Sequence, residues 1–276
     1  MSKIKGFFQT NEGGDAVVFP NIESKPSGYF KLIYQDALYF KNILKALNMF
    51  LDEVTFSLDS EGMSFAGMEP THIIMFILNI PKNLFDDYIL KEDTRFTLDL
   101  KGIVEKTLKN VSKNEVLEME NNDTLRFSLR HKFTRRFDVK LFNNPEKEDL
   151  PIPKINYTTR AVLMVEDLNK IFKDISEGEN VTLIAENDTL TIESVSNYHK
   201  YSVPLSRNQE SVLSLEIQEN SKANYGFDYL EMFIKSLTPL VDIVELRYAT
   251  DKPLYLCANL MGQGKLEFYQ APRIEG

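Results

Sequence analysis

Apolar and polar residues recur along this chain in one order: a strand, a helix and then a meander of short strands. The clearest instance opens with an apolar run, Phe30–Tyr34, and continues over Asp36–Leu51, where large apolar residues return at the spacing of one buried helical stripe. Three strand patterns follow, at Val54–Leu58, Met63–Met68 and Ile73–Ile80. The segment from Asp59 to Gly62 predicts a hairpin turn, because glycine readily takes the positive φ that such turns need.

A second unit of the same kind begins after Leu84–Tyr88, which we interpret as a short turn. Its opening strand is predicted at Thr94–Leu98. A helical pattern follows over Leu100–Val111, with its apolar residues on one side. The strands of its meander are predicted at Val116–Met119, Thr124–Leu129 and Phe133–Phe142.

Two further units complete the repeat. The third opens with a strand at Ala161–Val165 and a helix at Glu166–Ile175, and its strands Val181–Ile184 and Thr189–Ile192 lie about 127 residues after their counterparts in the first unit. In the fourth, a strand at Ser211–Ile217 precedes a helix at Asp228–Leu237. Its remaining strands are predicted at Ile243–Tyr248, Pro253–Ala258 and Lys265–Tyr269.

Interruptions of this pattern predict where the chain divides. Residues 1–29 hold breaker clusters and form an extension, residues 30–142 a first domain, and residues 154–276 a second. The linker between them, residues 143–153, contains three prolines and four charges, which favours an extended, exposed segment. Short strands whose partners are mostly sequence neighbours predict antiparallel sheets. Each domain is therefore expected to be α+β, with helices on one face and sheets on the other.

Composition narrows the class of protein. Hydrophobic residues make up 43% of the chain, enough for a real core, and no apolar run approaches the roughly 20 residues of a membrane span. The first residues lack the long apolar core of a signal peptide. A single cysteine, Cys257, allows no internal disulfide and fits a reducing compartment. The net charge of −9 argues against a chain coated in nucleic acid but allows one basic surface.

Catalytic and metal-binding patterns are missing from the sequence. His72, His131 and His199 are scattered without metal-ligand spacing, and Cys257 lies in a strand pattern typical of a core thiol. We find no phosphate loop, nucleophile elbow or metal-binding helix motif. The sequence therefore predicts no enzyme, no catalytic residue and no cofactor or metal.

Lysines recur on the four predicted helices. Their spacing of three or four residues places each pair on one helix face. The set comprises Lys41, Lys45, Lys106, Lys109, Lys170, Lys173 and Lys235. On any one helix these are ordinary solvated lysines. If the four helices lie side by side, however, the ammonium groups form one basic surface that would bind phosphates without reading bases.

The linker exposes two large apolar residues, Leu150 and Ile152. Two interpretations remain open for them. They dock on their own domain, or they form part of a groove that binds a partner.

Several separate motifs in the right order resemble the sliding clamps of the proliferating cell nuclear antigen type. They lie at residues 58–63 (Leu-Asp-Ser-Glu-Gly-Met), 68–73 (Met-Glu-Pro-Thr-His-Ile), 150–153 (Leu-Pro-Ile-Pro), 251–254 (Asp-Lys-Pro-Leu) and 271–275 (Ala-Pro-Arg-Ile-Glu). The resemblance covers Phe30 to Glu275. It implies a DNA clamp fold in a trimeric ring of archaeal or eukaryotic style, with helices lining the hole and antiparallel sheets outside.

The resemblance also implies functional residues. The DNA-facing basic positions fall on the seven lysines, with Asp228 as a departure where the family often has a basic residue. A pocket for short aromatic-ended peptides of DNA polymerase, flap nuclease, ligase and clamp loader falls on Met68, His72, Ile73, Met75, Leu150, Ile152, Pro253, Tyr269, Ala271, Pro272 and Ile274. Subunit contacts would join Phe137, Val139 and Leu141 of one chain to Tyr201 and Val203 of the next.

The extension departs most from the family pattern. Ile4, Phe7 and Phe8 have the spacing of the partner peptide, with Met1 where glutamine would stand. We therefore hypothesise that the tail docks in the clamp's own pocket, against the alternative of a loose tail with chance aromatics. The function implied is a processivity factor that encircles double-stranded DNA inside the cell, in the cytoplasm of an archaeon or the nucleus of a eukaryote. The alternatives are one subunit of a heterotrimeric clamp and a scaffold that forms no ring.

Overall fold

The computed structural model describes residues 28–122, 124–141, 150–175 and 180–274. Within them, two halves of the chain follow the same order of elements. The first half contains β1 (Phe30–Tyr34), α1 (Ala37–Asn48), β2 (Glu53–Leu58), β3 (Gly62–Met68), β4 (Ile74–Pro81), β5 (Asp87–Leu90), β6 (Thr94–Asp99), α2 (Leu100–Gly102), β7 (Val116–Asn122), β8 (Thr124–Arg130) and β9 (Thr134–Val139). The second half contains β10 (Thr159–Met164), α3 (Val165–Asp174), β11 (Asn180–Glu186), β12 (Thr189–Val195), β13 (Lys200–Ser206), β14 (Val212–Ile217), β15 (Ser221–Gly226), α4 (Phe227–Leu237), β16 (Ile243–Tyr248), β17 (Leu254–Asn259) and β18 (Lys265–Gln270).

Local capping explains where the first two helices begin. The Asp36 carboxylate accepts a hydrogen bond of 2.8 Å from the backbone N–H of Tyr39 and thereby satisfies a free donor of α1. Asp99 does the same for Gly102 in α2, at 2.9 Å. A Cβ at Gly102 would stand 2.5 Å from Oδ2 of Asp99, so this close cap requires glycine.

The second helix is much shorter than the sequence predicts. After α2 the backbone continues as a π-helical turn over Ile103–Thr107, closed by a hydrogen bond of 2.8 Å from the Leu108 N–H to the Ile103 carbonyl. The prediction of a helix to Val111 was therefore wrong. Val111 still packs against the core, because an apolar spacing reports burial and does not require a continuous helix.

All strand pairs of the described residues are antiparallel, which confirms that part of the prediction. They form a five-stranded sheet, β5-β1-β7-β8-β9, a nine-stranded sheet, β14-β10-β16-β17-β18-β4-β3-β2-β6, and a four-stranded sheet, β13-β12-β11-β15. The expectation that partners are mostly sequence neighbours fails for the opening strand of every unit. β1 pairs with β7, β6 with β2, β10 with β16 and β15 with β11. The paired units of each half are therefore interlocked and cannot fold separately.

The nine-stranded sheet also joins the two halves. Its central pair is β4 and β18, registered from Ile74 opposite Gln270 to Asn79 opposite Lys265. Beneath this pair, the Phe268 ring stacks on Phe233 of α4 at 4.3 Å and meets Phe76 of β4 edge-on at 5.4 Å. One continuous core therefore lies under both halves.

The helices form a second layer over the sheets. α3 packs on α4, α4 on α1, and α1 on α2. The Tyr39 hydroxyl of α1 donates to the Leu240 carbonyl at 3.2 Å and accepts from the Met261 N–H at 3.1 Å, which ties α1 to the second half. None of the helices in the described ranges is long and apolar enough to cross a membrane.

Strand assignments were wrong at four places. Asp87–Leu90, at the end of the predicted turn, is a strand because it pairs with β1. Ser211–Ile217 belongs to the third unit, because β14 pairs with β10. The fourth unit opens instead with Ser221–Gly226, whose small and polar residues give little strand signal. The predicted strand Phe133–Phe142 is shorter, and Phe133 is an exposed turn residue. The linker limits stay a prediction, because residues 142–149 lie outside the described part.

Candidate functional surfaces

The predicted lysines lie on the helix layer, and they differ in exposure and in the contacts that they make within the chain. Lys45, Lys106, Lys109, Lys173 and Lys235 are exposed. Lys106 lies in the π-helical turn and Lys109 just beyond it, so these two do not share a regular helix face as predicted. The helices nonetheless contact one another in the order α3, α4, α1, α2, so the layer carries lysines along its whole length.

Two of the seven lysines already have partners. The Lys41 ammonium is half-buried and donates to the Lys109 carbonyl at 2.8 Å. Burial and the neighbouring Lys45 charge lower its pKa. Lys170 lies 3.4 Å from both Glu166 and Asp167 on its own helix, and hydrogen bonds to Asp167 and Glu166 raise its pKa. The basic character of α3 is therefore partly neutralised, and exposed Asp228 has the same effect at the start of α4.

The predicted peptide pocket centres on a row of side chains across the nine-stranded sheet. Met68, Met75, Tyr269 and Tyr255 stand directly opposite one another on β3, β4, β18 and β17. The rings of Tyr255 and Tyr269 are 5.0 Å apart. Arg247 of β16 continues the row, with its guanidinium 5.4 Å from the Tyr255 ring centre. This face of the sheet is therefore apolar and aromatic around β4 and β18, and charged further along.

The linker residue Ile152 packs on this apolar row. It contacts the cluster built by Met75, Ile77 and Tyr269 and remains half-buried itself. In the structure, Ile152 therefore docks on its own chain, which is one of the two interpretations of the linker. Leu150 is half-buried as well, but it belongs to neither apolar cluster of the described residues. Pro253 is buried just before β17.

A buried carboxylate shapes the turn at one side of the pocket. Glu69 accepts hydrogen bonds from the Thr71 N–H and hydroxyl, both at 2.6 Å, and from the Ile73 N–H at 2.7 Å. Burial alone would raise the pKa of Glu69, but these hydrogen bonds lower it below its ordinary value. The turn holds His72 exposed with a φ of 58° and presents Ile73, whose carbonyl accepts from the Ala271 N–H at 2.9 Å.

A small cavity of about 80 Å³ adjoins this turn. Its predicted lining residues are Ile73, Ala271 and Pro272, and the structure adds Gly226, Tyr229, Gln270 and Arg273. Exposed Ile274 follows at the end of the described chain. Of the predicted pocket residues, Ile73, Ala271 and Pro272 thus line this cavity, and Met68, Met75 and Tyr269 belong to the apolar row, on which Ile152 packs. The others, His72, Leu150, Pro253 and Ile274, belong to neither.

Gln270 gives the cavity polar chemistry that the sequence did not reveal. Its side chain is fully buried, and its Nε2 donates to the Gly226 carbonyl at 2.9 Å. No described group donates to its Oε1. A buried acceptor without a donor is costly, so a ligand N–H or O–H entering the cavity would be stabilised there. A polar residue in a strand whose neighbours are apolar was the only signal for it in the sequence. Gly226 and Tyr229 gave none.

Each sheet of the described residues ends in two edge strands, and the predicted subunit contacts fall on two of these. β9 ends the five-stranded sheet and β13 ends the four-stranded sheet. The predicted contact residues are half-buried and pack on the core from these edges: Phe137, Val139, Leu141, Tyr201 and Val203. Arg136 on β9 and Lys140 just after it are exposed. Beside β13, the Tyr201 hydroxyl donates to the exposed carboxylate of Asp174 at 3.4 Å.

The remaining predictions concern the tail and reactive groups. Ile4, Phe7 and Phe8 lie outside the described residues. Cys257 is buried, and burial raises the pKa of its thiol, in agreement with a core role. Within the described ranges, no three potential metal ligands come together.

Comparison with known proteins identifies relatives of this chain. A sequence profile described as "Proliferating cell nuclear antigen, N-terminal domain" matches residues 29–143, and one for the C-terminal domain matches residues 151–273. The DNA polymerase sliding clamp of Thermofilum pendens is 30% identical over 247 residues, which is 89% of this chain and 99% of that protein. The clamp of Thermococcus gammatolerans is 27% identical over 249 residues, 89% of this chain and 99% of its own.

Solved structures of clamp proteins also match this chain. The proliferating cell nuclear antigen of Thermococcus kodakaraensis superposes with a TM-score of 0.82 at 26% identity, over 88% of this chain and 100% of its own. A PCNA2–PCNA3 complex from Sulfolobus tokodaii gives 0.81 at 26% identity, over 89% of this chain and 100% of the matched chain. The predicted clamp fold is confirmed.

The Glu69 turn gives a testable pH dependence. Because the folded-state pKa of Glu69 is lowered, its contribution to stability is complete above the unfolded value of about 4.3 and is lost as pH falls through the folded-state pKa. We expect Glu69→Gln to reduce the free energy of unfolding by about 2 kcal/mol at pH 7, and this difference to shrink below pH ~4. Urea unfolding across this pH range measures it.

Glu219→Gln is the matched control, since Glu219 is exposed and far along the chain from this turn. It should leave stability unchanged at both ends of the pH range. A Glu69→Gln deficit that is the same at acid and neutral pH would contradict a charged Glu69.

Proposed function

The chain belongs to the proliferating cell nuclear antigen family of DNA polymerase sliding clamps, and we propose that three subunits close into a ring around double-stranded DNA. As a member of this family it is a processivity factor and not an enzyme. A closed ring stays on the duplex by enclosure, so no contact needs to be strong. The proposal rests on two observations. The strands at the predicted subunit contacts, β9 in the first half and β13 in the second, are both edge strands, and the helices with their lysines form a single layer.

Pairing of the two edges would build the ring. A β9 edge meeting the β13 edge of the next subunit is a head-to-tail contact, which closes when the rotation between subunits suits a small number of copies. Apolar residues on both edges are half-buried and would lose their remaining exposure. Arg136 and Lys140 on one side would meet the Asp174 carboxylate on the other. Closure also removes exposed strand edges, which are otherwise sites of aggregation.

The helix layer is the surface we assign to DNA. Exposed Lys45, Lys106, Lys109, Lys173 and Lys235 have the freedom to reach phosphates, whereas Lys41 and Lys170 are engaged within the chain. Point charges on flexible stems contact the backbone without reading sequence, and such contacts weaken as salt rises. A net charge of −9 on the whole chain disfavours binding of DNA elsewhere.

The apolar row and the adjoining cavity form the surface we assign to partners. Replication and repair enzymes such as polymerase, flap nuclease, ligase and the clamp loader would each insert a short segment. Its apolar and aromatic side chains would cover Met68, Ile152 and Ile274, and one polar side chain would donate to Gln270 Oε1 in the cavity. Tethering of this kind raises the effective concentration of each enzyme at the DNA without a catalytic role for the clamp.

A ring of non-identical subunits is the second candidate. One matched structure is a complex of two different clamp chains, and its TM-score of 0.81 is close to the 0.82 of the Thermococcus clamp. A solution mass of three times that of the pure chain supports the homotrimer, and a monomer that trimerises only with companion chains supports the heterotrimer. We place the protein inside the cell with its DNA, and its archaeal relatives favour the cytoplasm of an archaeon.

If the helix layer faces DNA, reversing the charge of its lysines should shorten the time that the clamp stays on DNA. We expect Lys106→Glu combined with Lys173→Glu to shorten the lifetime of loaded clamps on circular DNA at least about tenfold at physiological salt, because two phosphate contacts become repulsive. The solution mass should not change. Lys222→Glu with Lys265→Glu, an equal charge change at exposed strand positions, is the control. Equal retention by both double variants would refute the assignment of the helix layer.

The cavity predicts a steric effect on partner binding. A Cβ at Gly226 would stand 3.2 Å from Gln270 Nε2 and 3.4 Å from the Tyr229 ring, so Gly226→Val would fill the cavity. We expect at least about tenfold weaker binding of polymerase-derived peptides, measured by calorimetry, with DNA retention unchanged. Lys222→Val adds the same side chain at an exposed position of the same strand and should bind like the parent.

The N-terminal extension predicts competition for the same surface. The relatives align with about nine-tenths of this chain, and Ile4, Phe7 and Phe8 fall outside the described residues. We propose that these three side chains, spaced as one face of a helical turn, dock on the apolar row. Deletion of residues 1–10 should then tighten partner-peptide binding about tenfold, because an intramolecular competitor acts at millimolar effective concentration. The Phe7→Ser, Phe8→Ser variant should reproduce it, and unchanged affinity in both would remove the idea.

A further inference from the structure

The open edge of β13 contains a proline. Pro204 lies near the end of the strand, opposite Thr191 of β12, and it is exposed. Proline has no N–H to donate, so within a sheet it is tolerated where that position faces away from the neighbouring strand. An edge with a proline offers an incoming strand one donor fewer.

A side chain closes the same end of the strand. The carboxamide of Gln209 donates from Nε2 to the Pro204 carbonyl at 3.3 Å and accepts at Oε1 from the Ser206 N–H at 3.0 Å. The Gln209 backbone N–H also donates to the Ser206 carbonyl at 3.1 Å. One donor and one acceptor of the Gln209 carboxamide therefore occupy the place where a neighbouring strand would form its hydrogen bonds.

These contacts fix which residues of β13 face outward. The N–H and carbonyl of one residue in an antiparallel strand point to the same side, and the side alternates along the chain. Because Pro204 and Ser206 direct their groups to Gln209, the residues of the same parity, Lys200 and Ser202, direct theirs outward as well. Of the outward-facing residues of β13, only Lys200 and Ser202 therefore keep both a backbone N–H and a carbonyl that Gln209 does not occupy.

We infer that Pro204 and Gln209 shorten the subunit contact: a second copy of this chain pairs its β9 with β13 only along Lys200–Ser202. This inference rests on the proposed ring and adds a limit on its strength. Two outward residues allow about four backbone hydrogen bonds, whereas the six residues of β9 could support a longer ladder. The consequence is a ring whose interface opens without disrupting either domain, as loading onto closed circular DNA requires.

If Pro204 and Gln209 block part of the β13 edge, replacing them should strengthen self-association. Pro204→Thr restores a donor with a residue that suits strands, and Gln209→Ala frees the Pro204 carbonyl and the Ser206 N–H. We expect each change alone to lower the subunit dissociation constant about fivefold and the double variant at least about tenfold. Sedimentation equilibrium over a dilution series of the full chain measures it, and circular dichroism checks folding.

Two further variants separate the inference from the ring itself. Gln218→Ala removes an exposed glutamine outside β13 and should change nothing. Ser202→Pro removes a donor that the inference leaves open, and it should weaken association at least about tenfold. If Ser202→Pro weakens association but the double variant leaves it equal or weaker, the block is refuted and the ring stands. If Ser202→Pro has no effect, β13 is not the contact strand and both proposals fail.

Discussion

Backbone hydrogen bonding between distant strands is the constraint on which this structure depends. The opening strand of each unit finds its partner in the other unit of its half, and β4 pairs with β18 across the two halves. No unit can satisfy its own backbone groups, so the chain must close as a whole. This closure brings Phe76, Phe233 and Phe268 together and leaves open strand edges at β9 and β13.

The same closure separates two surfaces with different chemistry. Helices follow the opening strands and are gathered into one layer with lysines on it. The sheet face at β3, β4, β18 and β17 instead carries Met68, Met75, Tyr269 and Tyr255 in one row. A basic layer suits phosphates at low specificity, and an apolar row with one buried acceptor suits short peptides. In the function that we propose, sliding on DNA and recruiting partners would therefore use separate surfaces.

The edges set a balance between cohesion and release. In the ring that we propose, apolar residues on β9 and β13 would favour contact between subunits, while Pro204 and Gln209 would limit how much of the strand takes part. Natural edge strands commonly carry proline or other devices against unwanted pairing. In a ring that must open and close around DNA, such a device also limits how tightly the subunits hold.

The sequence by itself determined the repeat of strand, helix and meander, the antiparallel character, and the buried stripes of α1, α3 and α4. It did so because helical and strand periods report which residues are buried. Its motifs around Met68 and Ala271 also predicted a partner pocket, which stays a prediction. Only the tertiary structure decided that Ser221–Gly226 is a strand, that Gln270 keeps a free acceptor in a cavity beside Gly226, and that Lys41 and Lys170 are already bonded. Those facts depend on which distant groups meet, and the period of a local pattern carries no information about that.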